Sequence, residues 1–288
     1  MKIAISCDSS IDITKEQQAR FDIRIVPFTL IMGEDQGFDG EITPEALFAY
    51  TKKTGKLPHT AAVNEFQMEE HFEKLLKEFD HIIHFDISSE LSSAYKNACL
   101  AAVKFPGKVT VIDSRVLSTG IALLAIYARR LADAGYAPEE IEAKVKERIP
   151  FDQTSFVLES VDHLYKGGRC SALAMFGANL LKLRPEIFMK DGVLGPGAKL
   201  RGPMKKFVAD YVADTLKTFN NIDPEVVFVT YSTCEDKSIL EATEQTLKER
   251  GFKEVLFSTA GGTVSTHCGP HCLGILYLND GPHPIEKK

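Results

Sequence analysis

The sequence lacks the features of membrane proteins, nucleic-acid-binding proteins and disulfide-stabilised secreted proteins. No apolar run is long enough to span a bilayer. Positive charge is not in excess, because 34 Lys and Arg against 40 Asp and Glu leave a net charge of −6, whereas nucleic-acid binders carry a basic patch or stripe. The six cysteines lie scattered in apolar segments and Met1 leads directly into a strand pattern, without a signal peptide. We therefore expect a cytoplasmic protein with no stable membrane insertion and no nucleic-acid partner.

The pattern of strands and helices predicts an α/β protein with two domains. The 288 residues, 44% of them hydrophobic, suffice for two ordinary domains. In the first half strands alternate with helices, which predicts a parallel sheet covered on both faces. In the second half Asp191-Gly192 predicts a hairpin among helices, which favours a mixed sheet. The predicted domains are residues 1–154, an α/β/α parallel-sheet domain, and residues 155–288, a mixed-sheet α/β domain.

The stretch 87–98 contains a serine-rich loop that follows an apolar strand at 79–87 and leads into a helix. Hydroxyls and free N–H groups at a helix start suit an anion. The loop contains Glu90 and neither Lys nor Arg, so a singly charged carboxylate fits better than a polyphosphate. The simpler interpretation is that Ser92 or Ser93 only caps the helix.

Further hydroxyl residues follow strands or precede helices, where the loops of a parallel sheet gather and bind ligands. They predict a polar pocket mouth. A nearly all-apolar segment at 172–183 predicts a buried helix or the wall of a tunnel. The hydroxyl residues are Ser9, Ser10, Thr60, Ser88, Ser89, Ser92, Ser93, Ser114, Ser118 and Thr119.

Two catalytic or metal-binding interpretations remain as alternatives. A loop serine with His267 and Asp113 could form a hydrolase triad, but the G-x-S-x-G elbow is absent. A metal site is the second alternative, because its ligands would have suitable spacing if they lay on one helix; they are His267, Cys268, His271 and Cys272. Gly269-Pro270 interrupts that helix, so we favour a glycine-rich loop with two incidental cysteines. No P-loop or G-x-G-x-x-G follows a strand, so no nucleotide cofactor is predicted.

One basic set on this acidic chain predicts a docking face for an anionic partner, although solvated surface charge is the commoner explanation. The paired glycines of Lys166-Gly-Gly-Arg169 indicate a backbone that needs positive φ or close approach. The set comprises Arg169, Lys199, Arg201, Lys205 and Lys206.

Taken together, several segments of the chain resemble those of the DegV family, the fatty-acid-binding proteins of bacteria. The resemblance implies a two-domain fold that holds an acyl chain between an α/β/α domain and a mixed α/β domain. It implies no cofactor other than a bound fatty acid. The resemblance runs nearly end to end, through CDSSIDIT, ISSELSSAY, IDSRVLSTG, HLYKGGRCS, DGVLGPGAKLRG and STHCGPHCLGI.

The resemblance also implies roles for individual residues. Thr60 and Ser92 match the residues that hold the fatty-acid carboxylate, and His267 matches a histidine near the head group. Ser93 could substitute for Ser92, and the sequence leaves that choice open. The arginines that match Arg169 and Arg201 are implicated in docking to a partner kinase. This chain departs from the family pattern beside the two hydroxyls, with Ala-Ala-Val after Thr60 and Ser93-Ala94 after Ser92. It also has His271 where the family has a glycine.

We therefore expect a carrier, not an enzyme, that binds a long-chain fatty acid and presents it to a separate fatty acid kinase. The resemblance implies a kinase of the dihydroxyacetone-kinase-like type that forms the acyl phosphate. Burying each methylene contributes about 0.8 kcal/mol, so a long chain supplies most of the affinity and the carboxylate need only be oriented. The alternative is a serine-dependent hydrolase or transferase that acts on acyl substrates.

Overall fold

The structure is a computed structural model, and it describes residues 1–172 and 184–288. The strands are β1 (Ile3–Asp8), β2 (Ile23–Val26), β3 (Thr29–Met32), β4 (Asp35–Phe38), β5 (His59–Ala61), β6 (His81–Asp86), β7 (Val109–Asp113), β8 (Asp152–Val157), β9 (Arg184–Lys190), β10 (Val193–Leu200), β11 (Val227–Tyr231), β12 (Val255–Thr259) and β13 (Leu273–Leu278). The α-helices are α1 (Lys15–Arg20), α2 (Pro44–Thr54), α3 (Glu65–Leu75), α4 (Ala94–Ala102), α5 (Thr119–Asp133), α6 (Pro138–Arg148), α7 (Asp162–Gly167), α8 (Met204–Thr218), α9 (Lys237–Arg250) and α10 (Gly262–Cys268).

The first half of the chain forms the predicted parallel sheet, with strand order β2-β1-β6-β7. The helix starts follow from local sequence. Thr14 and Asn64 each accept a hydrogen bond from the third helical N–H and complete a capping box, and Thr43 precedes Pro44 at the first helical position. The central strands β1 and β6 are buried along their whole length, so they form the middle of the core.

The second half forms a mixed six-stranded sheet, with strand order β10-β9-β8-β13-β11-β12. Asp191 and Gly192 join β9 to β10 with positive φ at both positions, 51° and 83°. This conformation matches the twist of a two-residue hairpin, so the predicted hairpin is confirmed. The fold class is the predicted one, a parallel sheet followed by a mixed sheet. The division at residue 154 stays a prediction, and the strand β8 crosses that position.

A third, small sheet was not predicted. Residues 23–31 divide into β2 of the parallel sheet and β3 of an antiparallel sheet with order β4-β3-β5. The division falls at Pro27, which lacks an N–H and cannot continue a ladder. The small sheet matters for function because β5 carries Thr60.

The glycine-rich block near the C-terminus differs from the prediction as well. Residues 262–268 form α10, where we expected a glycine-rich loop. The helix ends at Gly269, whose φ is 76°, so His271 and Cys272 lie beyond it. Of the apolar segment 172–183, all but Ala172 lies outside the described residues, and its place in a tunnel wall stays a prediction. Within residues 1–172 and 184–288, no helix has the length and apolar character needed to cross a bilayer.

Candidate functional site

A cavity of about 220 Å³ lies where the parallel sheet, the mixed sheet and α10 meet. Its wall is mainly apolar, and both halves of the chain contribute to it. The large apolar wall residues are Phe28, Ile87, Leu91, Leu117, Phe156, Leu164, Leu194, Val264 and Leu276. A set of polar residues interrupts this wall, namely Thr60, Ser92, Ser93, Ser118, Arg169, Thr230, Thr263 and His267. The cavity therefore suits a ligand with a long apolar part and a small polar group.

Thr60 and His267 form a hydrogen-bonded pair in the cavity wall. The Oγ1 of Thr60, on β5, lies 3.0 Å from the Nε2 of His267, near the end of α10. Burial, reinforced by the nearby positive charge of Arg169, lowers the pKa of His267 to about 4. The imidazole is therefore neutral at pH 7, and its Nδ1 is buried without a hydrogen-bond partner in the part of the chain that the structure describes. A neutral imidazole beside a hydroxyl can orient a carboxylate without adding a second cation to Arg169.

Two aspartates fix the start of α10 and thereby position His267. Asp39 accepts hydrogen bonds from the backbone N–H groups of Gly262 and Thr263, at 2.7 and 3.0 Å. Asp12 accepts one from the N–H of Gly261, at 2.7 Å. Carboxylates satisfy the otherwise unpaired N–H groups of a first helical turn and favour its positive end. The helix is thus tied to the loops that follow β1 and β4.

The paired glycines of α7 serve both purposes that the sequence suggested. Gly168 ends α7 in the left-handed region, with φ of 71°. A Cβ at Gly167 would lie 2.5 Å from the Nδ1 of His267, so only glycine allows this close approach. The two glycines therefore let the chain turn and let the His267 ring pack against α7.

The four loop serines divide into two pairs with different partners. Ser88 Oγ donates to the carbonyl of Gly192 at 2.6 Å, and Ser89 Oγ donates to Asp113 at 2.5 Å. These two link the loop to the β9–β10 turn and to the end of β7. They do not line the cavity.

Ser92 and Ser93 do line the cavity. The Oγ of Ser92 accepts from the N–H of Ala94 at 3.2 Å, which leaves its own proton available to a ligand. Ser93 is the residue before α4, and its side chain makes no capping hydrogen bond. Helix capping alone therefore does not account for both serines.

The hydrolase triad considered from the sequence does not assemble. Asp113 accepts from Ser89 and from the backbone N–H of Arg115, whereas His267 pairs with Thr60. A catalytic triad needs the aspartate bonded to the histidine. Because Asp113 and His267 have different partners, the bond that a triad requires between them is missing.

The histidines and cysteines at positions 267–272 do not form a metal cluster either. His271 lies 3.6 Å from Glu159 and 3.2 Å from Glu235, and so contacts different residues from His267. Among the described residues, no group of three or more His, Cys, Asp or Glu side chains could hold a metal ion. Cys268 and Cys272 are buried free thiols in the cavity wall.

The basic set contributes one residue to the cavity. Arg169 lines it and donates to the carbonyl of Gly167 at 2.6 Å. Arg201 is exposed after the end of β10. Lys205 and Lys206, near the start of α8, are both exposed and donate to Ser238 and Asp210, respectively.

Sequence reasoning missed several wall residues. Phe28 lies between two short strands, and Thr230 and Thr263 look like ordinary members of a strand and a helix. Only the residues around them in three dimensions show that they face one cavity. Ser118 did carry a signal, since it belongs to the hydroxyl residues that precede helices.

The two sheets and the largely apolar cavity define an α/β protein with a candidate ligand site. The chain belongs to the DegV family, whose model matches residues 2–280. It is 30% identical over 280 residues to the DegV domain-containing protein TTE1491 of Caldanaerobacter subterraneus subsp. tengcongensis, covering 96% of this chain and 98% of that protein.

Two solved structures share the fold. A fatty-acid-binding DegV family protein of Thermus thermophilus is 26% identical, with a TM-score of 0.89 and coverage of 97% of this chain and 100% of that one. A stearic acid-binding protein of Eubacterium ventriosum is also 26% identical, with a TM-score of 0.82 and coverage of 96% and 98%.

Proposed function

We propose that this protein binds one long-chain fatty acid in the cavity and presents its carboxyl group to a separate kinase. The observation that carries the proposal is the Thr60–His267 pair, which lies in a mainly apolar wall beside Arg169. The fatty-acid-binding relatives of the same fold support the ligand class.

In this proposal the carboxylate accepts hydrogen bonds from the hydroxyls of Thr60 and Ser92. Ser93 and His267 lie beside it, and Arg169 supplies the nearest positive charge. Hydrogen bonds to a charged group contribute about 1.5–3 kcal/mol each. These bonds orient the head group, while the chain supplies most of the binding energy.

The apolar wall holds the acyl chain. At about 0.8 kcal/mol per buried methylene, a chain of about sixteen carbons offers on the order of 10 kcal/mol before the costs of binding. The affinity should therefore rise steeply with chain length until the cavity is filled. This dependence distinguishes a chain-binding protein from one that recognises only a carboxylate.

Native mass spectrometry of the purified protein tests the proposal, followed by analysis of any molecule released on denaturation. We expect one fatty acid for each chain. The protein should be stripped of lipid and then incubated with palmitic acid as a second arm. A protein that is empty as purified and stays empty after this incubation would contradict the proposal.

Presentation to a kinase requires access to the carboxyl end. A smaller cavity of about 170 Å³ shares Thr60, Arg169 and His267 with the main cavity and also contacts Lys166. A partner could reach the head group through this opening, and its basic rim would attract an acidic or phosphate-bearing partner. The family resemblance adds Arg201 as a second docking residue.

Charge reversal separates docking from lipid binding. Arg201→Glu should weaken acyl-phosphate formation by the fatty acid kinase of the same organism and leave palmitate affinity unchanged, because Arg201 does not line the main cavity. Lys217→Glu, at an exposed position on α8, is the control for the change in net charge. Equal kinase activity with both variants would exclude Arg201 from docking.

A further inference from the structure

The cavity wall carries a second group of hydroxyls, apart from the Thr60–His267 pair. The group consists of Ser118 at the start of α5, Thr230 on β11 and Thr263 in the first turn of α10. Each belongs to an element of the core, and each is at least nine-tenths buried. Burying a hydroxyl in a mainly apolar cavity wall costs free energy unless the hydroxyl forms a hydrogen bond.

The hydrogen bonds of this group are incomplete. Ser118 is satisfied, because its Oγ donates to Asp12 Oδ2 at 2.5 Å. The Oγ1 atoms of Thr119 and Thr230 lie 2.6 Å apart, and this bond uses one of the two hydroxyl protons. The Oγ1 of Thr263 is buried and has no hydrogen-bond partner among residues 1–172 and 184–288. A saturated acyl chain beside Thr263 has no hydrogen-bond donor or acceptor, so the Thr263 hydroxyl would stay unpaired.

The spacing along α10 places this group relative to the head group. Thr263, Val264, His267 and Cys268 all line the cavity and form one face of the helix. Thr263 precedes His267 by four residues, which is about 6 Å along the helix axis at 1.5 Å per residue. An extended chain advances by about 1.2 Å per bond, so about five bonds span that distance.

We propose that the preferred ligand is a hydroxy fatty acid whose hydroxyl lies about five bonds from the carboxyl carbon and bonds to Thr263. Thr263 is then a specificity-determining residue. The inference rests on the proposed fatty-acid binding and adds the class of fatty acid. The ligand hydroxyl donates to or accepts from Thr263 Oγ1, a bond that an unsubstituted chain cannot make.

Two isomers of one acid provide the test, because their composition is the same. Delipidated protein is titrated with 6-hydroxypalmitic acid, 16-hydroxypalmitic acid and palmitic acid. We expect the 6-hydroxy isomer to bind about tenfold more tightly than the 16-hydroxy isomer, the effect of satisfying one buried hydroxyl. Equal affinities of the two isomers would overturn the inference.

Variants assign the preference to Thr263. Thr263→Val keeps the shape of the side chain and removes the hydroxyl, so the preference should fall to near unity while palmitic acid still binds. Thr243→Val is the matched control, since Thr243 is a buried threonine of α9 whose hydroxyl donates to the carbonyl of Ile239 at 2.8 Å, and it lines neither cavity. A preference that survives Thr263→Val would also overturn the inference.

The palmitic acid titration keeps the two proposals apart. If the protein binds palmitic acid but binds the two hydroxypalmitic acid isomers equally, only the role of Thr263 is contradicted. If wild-type protein binds none of the three acids, fatty-acid binding itself is wrong and the inference fails with it. If a bound water molecule satisfies the Thr263 hydroxyl instead of a ligand hydroxyl, palmitic acid should bind and the two isomers should bind equally.

Discussion

Replacing Thr60 with valine tests the head-group site directly. Valine has nearly the shape of threonine, so Thr60→Val removes the hydroxyl without opening a large gap. The substitution removes the partner of His267 Nε2, at 3.0 Å, and the proposed donor to the ligand carboxylate. A hydrogen bond to a charged group contributes about 1.5–3 kcal/mol. We therefore expect palmitate to bind roughly 10- to 100-fold more weakly.

Isothermal titration calorimetry with palmitate and with hexadecanol separates the head group from the chain. Hexadecanol has the same chain and no charge, so its affinity should fall much less. Thr246→Val, on exposed α9 where Thr246 donates to the Ala242 carbonyl, is the control for the same chemical change. An equal loss for both ligands, or no loss for palmitate, would refute the assignment of Thr60 to the carboxylate.

Two further predictions concern His267. Its pKa of about 4 in the folded protein lies below the value of about 6.5 expected in the unfolded chain. The unfolded chain therefore takes up the proton first, so this contribution to stability is present above pH 6.5 and is lost as the pH falls towards 4. Urea denaturation of the delipidated protein at pH 7 and pH 4.5 should show a larger loss for wild type than for His267→Gln, and equal losses would contradict the buried neutral imidazole. Gly167→Ala should displace the His267 ring, because the new methyl would lie 2.5 Å from Nδ1; palmitate affinity should fall while circular dichroism still shows a folded protein, and unchanged affinity would show that the ring position is not needed.

The local elements were largely predictable from sequence because their signals are local. Capping residues such as Thr14 and Asn64 act on N–H groups three positions away, and Asp191-Gly192 needs only its own backbone to form the hairpin. These interactions operate within a few residues, so sequence patterns report them. The division of residues 23–31 between two sheets was not predictable, because each strand was selected by partners elsewhere in the chain.

The candidate site illustrates the same difference. Its hydroxyl residues carried a signal as a group, and the family resemblance added roles for Thr60, Ser92 and His267. The resemblance did not show the Thr60–His267 bond, which joins residues 207 positions apart. The paired glycines indicated a close approach, but only the structure shows that His267 is the neighbour.

The sequence by itself determined the class of the protein: an acidic α/β chain with a parallel sheet, a mixed sheet and hydroxyl-rich loops. Composition, periodicity and turn residues are sufficient for that, because they reflect the burial and backbone conformation of each segment. The tertiary structure alone decided which hydroxyls share the cavity and which lack a partner. In the sequence Thr263 looks like any helical threonine. In the tertiary structure its hydroxyl is buried without a hydrogen-bond partner among the described residues. Such a property depends on every neighbour at once, and no single segment contains it.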